Sequence, residues 1–352
     1  MSETQRTVHQ PIHPDIAGRL DPEYAKFHNA NSAYLVPLHL QSWDPAVRQK
    51  PAILGGSDPL KVGDVKDLSL GKYAIRVFTP ETSAPVPGWP VLLYFHGGAC
   101  TLSNELNGCL LPRTGGWTLG NISTQNAFCT HMCKRASCVV VAVDYRLAPE
   151  NPYPAAVEDA IEALGWVYQN GKAQLNADVT KIAVGGSSSG ANLAAVLTHK
   201  AALADPPIPL AFQLLVVPVI DNTATTSGVP YKSWAENQNT IGLSVGRMLW
   251  FRDYYLPNEK DRLAWESSPI FAPEESFRKA PPAWIAAAEL DILRDEAIVY
   301  GEKLQEAGVD VEIKIYKGAP HPIMSMDGAV LAIGRQLVSD AADALGRAFE
   351  TL

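Results

Sequence analysis

Six short runs of apolar, often β-branched residues recur along the chain, and between them lie stretches with the 3.6-residue period of helices. The runs are VLLYF (91–95), VVVAV (139–143), IAVG (182–185), FQLLVV (212–217), WIAAA (284–288) and VEIKIY (311–316). Segments that are apolar on both alternating faces are what strands covered on two sides look like, and parallel strands need crossovers to return the chain to the same end of the sheet. The helical stretches 155–170, 191–202, 296–307 and 328–349 supply those crossovers. Gly308 stands where a helix C-cap wants a left-handed residue. The pattern predicts an α/β fold with a mostly parallel central sheet flanked by helices. An earlier antiparallel strand at 73–79 precedes the first buried strand across the turn TPETSAPVPGWP.

Two regions break the alternation. Residues 1–60 are polar and rich in His and Pro, and residues 222–268 hold Tyr231, Trp234, Trp250, Phe251, Tyr254, Tyr255 and Trp265. Aromatics at that density form either the core of a small helical subdomain or the wall of a pocket. With 352 residues, 47% of them hydrophobic, the chain has ample material for one large core.

Charge and cysteine content exclude several classes. A net charge of -8 offers no basic footprint for phosphates, so no nucleic acid partner is expected. No run of eighteen apolar residues argues for membrane insertion, and the first residues lack a secretory pattern, so the expected location is cytoplasmic. The sequon Asn121-Ile-Ser123 is then a chance match. The 5 cysteines, Cys100, Cys109, Cys129, Cys133 and Cys138, are odd in number and clustered, which favours reduced thiols over a disulfide framework. Cys129-Thr-His131-Met-Cys133 supplies no fourth ligand at metal-site spacing, so neither metal nor other cofactor is expected.

The chemistry is concentrated at GGSSSGAN, 185–192. Gly-x-Ser-x-Gly fits only one register there, Gly186-Ser187-Ser188-Ser189-Gly190, because a start at Gly185 would need glycine at 189. A strand precedes the motif and a helix follows it, and glycines let the chain turn sharply between them. That context singles out Ser188 as the exposed nucleophile. Upstream, His96-Gly97-Gly98-Ala99 follows the first buried strand, and small residues there free backbone N–H groups to face a bound oxygen. Gly97, Gly98 and Ser189 are accordingly the expected oxyanion-hole donors.

Four stretches in order, HGGA at 96, YRLAPENPYPAA at 145–156, GSSSGANLA at 186–194 and DILRDE at 291–296, resemble the hormone-sensitive-lipase-like (family IV) carboxylesterases, bacterial and fungal members included. The likeness runs from about residue 68 onward. It implies an α/β-hydrolase fold with a helical cap, in which Ser188 is the nucleophile, Asp291 the acid and His321 the base. The residues agree: Asp291 follows the run WIAAAEL, and His321 follows VEIKIY through Lys317-Gly-Ala-Pro, so both come off strand ends where open α/β sheets place their sites. Asp295 is the rival acid, and motif register favours Asp291. The expected organisation is a core of 61–221 and 269–352, with a cap built from 1–60 and an insertion at 222–268.

The sequence departs from the group in three places. Serines flank the nucleophile where relatives carry Asp or Thr before it and Ala after it, Pro322-Ile323 follows His321 where Gly-Phe is common, and the stretch 104–124 is longer than expected. That insertion is either a surface loop or a specificity element near the pocket mouth. The expected reaction is acyl transfer on a small-molecule ester of short or medium chain, with Ser187→Ala and Ser189→Ala variants keeping most activity. An amidase, a lactonase or a tailoring hydrolase would use the same residues, and a non-catalytic receptor on the same scaffold is the reading from another class. The group often pairs through a sheet edge, which leaves a homodimer open.

Overall fold

The computed structural model describes residues 6–49, 55–97, 115–328 and 331–352. Eight strands form one sheet: β1 (Asp64–Ser69), β2 (Ala74–Thr79), β3 (Trp89–Phe95), β4 (Val139–Asp144), β5 (Ala177–Ser187), β6 (Phe212–Val216), β7 (Ala283–Ala288) and β8 (Val311–Tyr316). Their order across the sheet is β1-β2-β4-β3-β5-β6-β7-β8. β2 pairs antiparallel with β1 and β4, and every later pairing is parallel. All six predicted apolar runs are strands. β1 escaped the sequence reading because five of its six residues face solvent at the sheet edge, leaving no apolar pattern to detect.

β3 shows why such runs carry no period. Val91, Leu93 and Phe95 point into one layer, with Val167 of the helix Ala155–Leu175 and Leu193 of the helix Ser189–Leu203. Leu92 and Tyr94 point into the other, with Met132 of the helix Asn126–Arg135 and Leu337 of the helix Ala332–Phe349. Each face thus buries its own set of side chains under helices, the arrangement that stabilises a parallel sheet.

In the N-terminal region the helix Pro22–Ala30 starts on Asp21, whose carboxylate accepts the Tyr24 N–H at 2.9 Å, with Pro22 at the first helical position. Trp43 leans on Trp250 and Tyr254 of the helix Val245–Tyr255, with ring centroids 5.9 and 5.6 Å apart. The two regions that broke the alternation therefore pack on one another. Cys129, Cys133 and Cys138 are buried free thiols, and burial pushes the Cys133 thiol up to about 12, so they act as packing groups. Cys100 and Cys109 lie outside the described residues. Among the described residues no helix is long and apolar enough to cross a membrane.

Two glycines make opposite predictions. Gly165 lies inside the helix Ala155–Leu175 with open space around an added methyl, so Gly165→Ala should raise stability by about 0.5–1 kcal/mol. At Gly190 the same methyl would run into the Phe95 carbonyl oxygen, so Gly190→Ala should unfold or severely destabilise the chain. Thermal denaturation of the two variants beside wild type checks both signs.

Candidate active site

Ser188 sits at the hinge between β5 and the helix Ser189–Leu203, with φ 53° and ψ -118°. A left-handed φ is costly for a residue with a side chain, and it persists here because the flanks leave no alternative. A methyl on Gly186 would strike the Gly190 backbone, and one on Gly190 would strike the end of β3. The Ser188 N–H donates to the Val216 carbonyl at 2.8 Å, tying the hinge to β6. Of the three serines, only Ser188 turns its hydroxyl toward a histidine.

His321 is that histidine. Its Nε2 lies 2.9 Å from Ser188 Oγ, and its Nδ1 lies 2.6 Å from Asp291 Oδ2. Asp291 follows β7 and His321 follows β8, so the ends of β5, β7 and β8, on one side of the sheet with β6 between the first two, deliver an uninterrupted hydrogen-bonded chain. The Asp291 and His321 side chains are almost fully buried, which shields the pair from competing water. Geometry also separates the two candidate acids. Asp295 Oδ2 accepts the Ser233 N–H at 2.8 Å and its Oδ1 accepts Arg294 Nε at 2.7 Å, so this carboxylate is committed to holding another segment.

That segment is 231–240, laced onto the loop carrying Asp291. Ser233 Oγ donates to the Ile292 carbonyl at 2.6 Å, Asn237 Nδ2 donates to the Glu289 and Asp291 carbonyls at 3.0 and 2.9 Å, and the Thr240 hydroxyl donates to the Leu290 carbonyl. Glu296, fully buried, accepts the Ile220 N–H at 2.8 Å and Trp234 Nε1–H at 3.0 Å. Burial raises its pKa to about 8 against the pull of those donors. Trp234 is thus core rather than pocket wall, as are Phe251 and Tyr255, both fully buried.

The oxyanion loop holds a difference from expectation. The Gly97 N–H donates to Ser187 Oγ at 3.1 Å, and Gln125 Nε2 donates to the same oxygen at 2.8 Å. Gly97 is therefore not a free donor here, because Ser187 has captured its N–H. Tyr94 OH in turn donates to Gln125 Oε1 at 2.6 Å. This network from β3 through Gln125 to the elbow was missed in the sequence, where Gln125 has no motif around it and Ser187 looked dispensable. Ser189, the first residue of its helix, has an N–H without an intrahelical acceptor and lies beside Ser188. Gly98 lies outside the described residues.

Motif residues support the loop from beneath. The His96 ring stacks on Tyr145 at 4.5 Å, its Nδ1 lies 2.7 Å from the Gly97 carbonyl, and Tyr145 OH donates to the His96 carbonyl at 2.8 Å. Burial pulls the His96 pKa down, keeping the ring neutral. Arg146 is fixed by the fully buried Asp159 through its N–H at 2.8 Å and its Nε at 2.9 Å. The described end of the long insertion, 115–124, is no surface loop: Trp117 is buried and stacks on Tyr255 at 4.2 Å and 6°. Its part 104–114 lies outside the described residues. Pro322 packs against Gly242, where an added methyl would come within 2.7 Å of the Pro322 ring, so a loop of 222–268 closes the wall beside His321.

The sequence profile described as the alpha/beta hydrolase fold matches residues 111–325, and the chain belongs to that family. A fission yeast (Schizosaccharomyces pombe) AB hydrolase superfamily protein, C1039.03, is 45% identical over 99% of this chain and 100% of its own length. Esterase LipI of Mycobacterium tuberculosis is 38% identical over 78% of each chain. Among solved structures, the carboxylesterase EstE1 from a metagenomic library superposes with a TM-score of 0.71 at 32% identity, covering 82% of this chain and 90% of that one. Within the family the chain is a member of the hormone-sensitive-lipase-like carboxylesterase group, and the fission yeast relative supports a fungal affinity.

A fluorophosphonate probe should label Ser188, located by mass spectrometry of the peptide, and Ser188→Ala should abolish labelling. Ser187→Ala and Gln125→Ala should keep the label on Ser188 but slow its formation by about 10- to 100-fold, because the loop anchored through Gly97 shifts. Labelling at wild-type rate in both would show that the network does not position the loop.

Proposed function

We propose that the protein is a serine carboxylesterase that hydrolyses its substrate through an acyl-enzyme. The protein is a hydrolase of ester bonds, and the observation that carries the finer reading is the chain Asp291–His321–Ser188 at a strained elbow. As Ser188 Oγ attacks the ester carbonyl, His321 Nε2 takes its proton, and Asp291 fixes the imidazole through Nδ1 and stabilises the cation that forms. His321 then gives the proton to the departing alcohol. A water deprotonated by the same nitrogen attacks the acyl-enzyme, releases the carboxylic acid and restores Ser188.

The tetrahedral oxyanion is held by backbone N–H groups of Ser189 and Gly98, while Gly97 serves the loop's anchorage through Ser187. Residues 1–60 and 222–268 form a cap over the strand ends. Supporting this are the contacts of Trp43 with Trp250 and Tyr254 and the packing of Gly242 on Pro322 beside the catalytic base. Such a cap restricts the space above Ser188, which favours short or medium acyl chains.

Hydrolysis of 4-nitrophenyl esters of increasing acyl length tests the reading. Wild type should release nitrophenolate fastest from short and medium esters, and Ser188→Ala or His321→Ala should lower kcat by about 10⁴- to 10⁶-fold. Asp295→Asn should retain far more activity than Asp291→Asn. A Ser188→Ala enzyme with near wild-type turnover would overturn the proposal.

A further inference from the structure

The helix Val245–Tyr255 contains two buried arginines, each with an Nε that meets no acceptor, and they differ in what else surrounds the guanidinium. Arg252 donates through Nη1 to the carbonyls of Asn222 and Ala224, at 3.0 and 2.9 Å, and the charges of Asp253 and Asp221 favour it while that of Arg262 opposes it. Arg247 has no such company. It is 1% exposed, its Nε is buried with no acceptor, and the one side-chain hydrogen bond it makes among the described residues runs from Nη1 to the Gly242 carbonyl. No carboxylate among the described residues pairs with it, and its neighbour Tyr24 is a phenol that burial keeps neutral. Burial pushes its pKa down to about 10, which leaves the guanidinium cationic at neutral pH.

An arginine has five N–H donors and no acceptor, and a buried cation without an anion is costly to keep. Its polar neighbours bring no negative charge to offset it. The charge of Arg247 acts on Tyr24 and His39, whose Nδ1 is buried without a partner, and burial followed by that charge pulls the His39 pKa down, leaving the ring neutral. His39 lies over the first turn of the helix, with Nε2 3.0 Å from where a methyl on Gly246 would stand. Tyr24 OH lies 3.8 Å from the corresponding point on Gly242, and the Pro322 ring lies 2.7 Å from it. Gly242 therefore joins all the parts: its carbonyl holds Arg247, its open face meets Tyr24, and it abuts the residue after His321.

We propose that Arg247, with Tyr24 and His39, binds a carboxylate carried by the substrate, so that the enzyme acts on esters bearing a free carboxylate in addition to the bond that is cleaved. This rests on the esterase reading and names the substrate class of that same site. One fixed positive charge flanked by two neutral polar groups matches a singly charged, planar carboxylate, for which a guanidinium fork is shaped, better than a doubly charged phosphate. The anion supplies what the fold withholds from Arg247, and the contact through Gly242 links that site to Pro322, the residue after His321.

Two probe pairs test the proposal with the full chain. Mono-4-nitrophenyl glutarate against 4-nitrophenyl pentanoate puts the carboxylate on the acyl side, and 3-acetoxypropanoate against its primary amide puts it on the alcohol side. Wild type should prefer the carboxylate member of at least one pair by tenfold or more in kcat/KM. Arg247→Met should shrink that preference by about 10- to 100-fold, mainly through KM, and Arg247→Lys should fall between. An equal preference in wild type and Arg247→Met for both pairs, or no preference in wild type, would overturn it. If Arg247→Met does not fold, protection decides: glutarate, but not glutaramide, should slow fluorophosphonate labelling of wild-type Ser188, and equal labelling rates would count against the carboxylate site. Failure of the esterase reading looks different, since then neither neutral ester is hydrolysed and Ser188 takes no label.

Discussion

The hinge at Ser188 depends on the absence of two methyl groups. β5 and the helix that follows it approach so closely that the Gly186 and Gly190 backbones touch one another and the end of β3, and the chain crosses that gap with a serine in a left-handed conformation. Everything else at the strand ends is arranged around that fixed point. The helix N-terminus places the Ser189 N–H next to it, β6 holds its N–H, and the loops after β7 and β8 bring a carboxylate and an imidazole to its hydroxyl. A side chain at either glycine would cost the hinge rather than merely crowd it.

The loop carrying Asp291 owes its position less to the core than to the segment above it. Ser233, Asn237 and Thr240 satisfy successive backbone carbonyls from 289 to 292, and the Asp295 carboxylate accepts the Ser233 N–H. Side chains of 231–240 thus do for this turn what a strand neighbour would do for an extended segment, and a buried carbonyl left without them would be expensive. The turn carrying Asp291 and the covering segment are consequently one mechanical unit.

Legibility in the sequence followed the range of the interaction. Buried strands, the elbow and the strand-end placement of Asp291 and His321 could be read because local pattern and spacing encode them. Gly97 could not be assigned, since its N–H is claimed by Ser187, ninety positions away in the chain. Gln125 and Trp117 were equally silent, one bridging Tyr94 to Ser187 and the other stacking on Tyr255. β1 lacked a pattern because it faces solvent. The serine at 187 shows the limit most clearly: beside Ser188 it looked like an inert substitution, yet its hydroxyl joins the elbow to Gly97 and Gln125.

Arg247 belongs to the same group of features that no local pattern reveals. In sequence it is one charge among aromatics, indistinguishable from an exposed residue on a surface helix, and the density of Trp and Tyr around it draws attention instead. Folding buries it and gives it a single carbonyl, while Arg252, five positions later, receives two carbonyls and has Asp253 and Asp221 to set against Arg262. Natural sequences agree across levels nearly everywhere, so a buried, charged and under-partnered group is a local rule broken at a cost in stability. Such breaks are retained where binding recovers the cost. An apolar side chain at 247 would fill the same space without that penalty, and the penalty falls on a group joined through Gly242 to Pro322, the residue after His321, where a bound carboxylate would remove it.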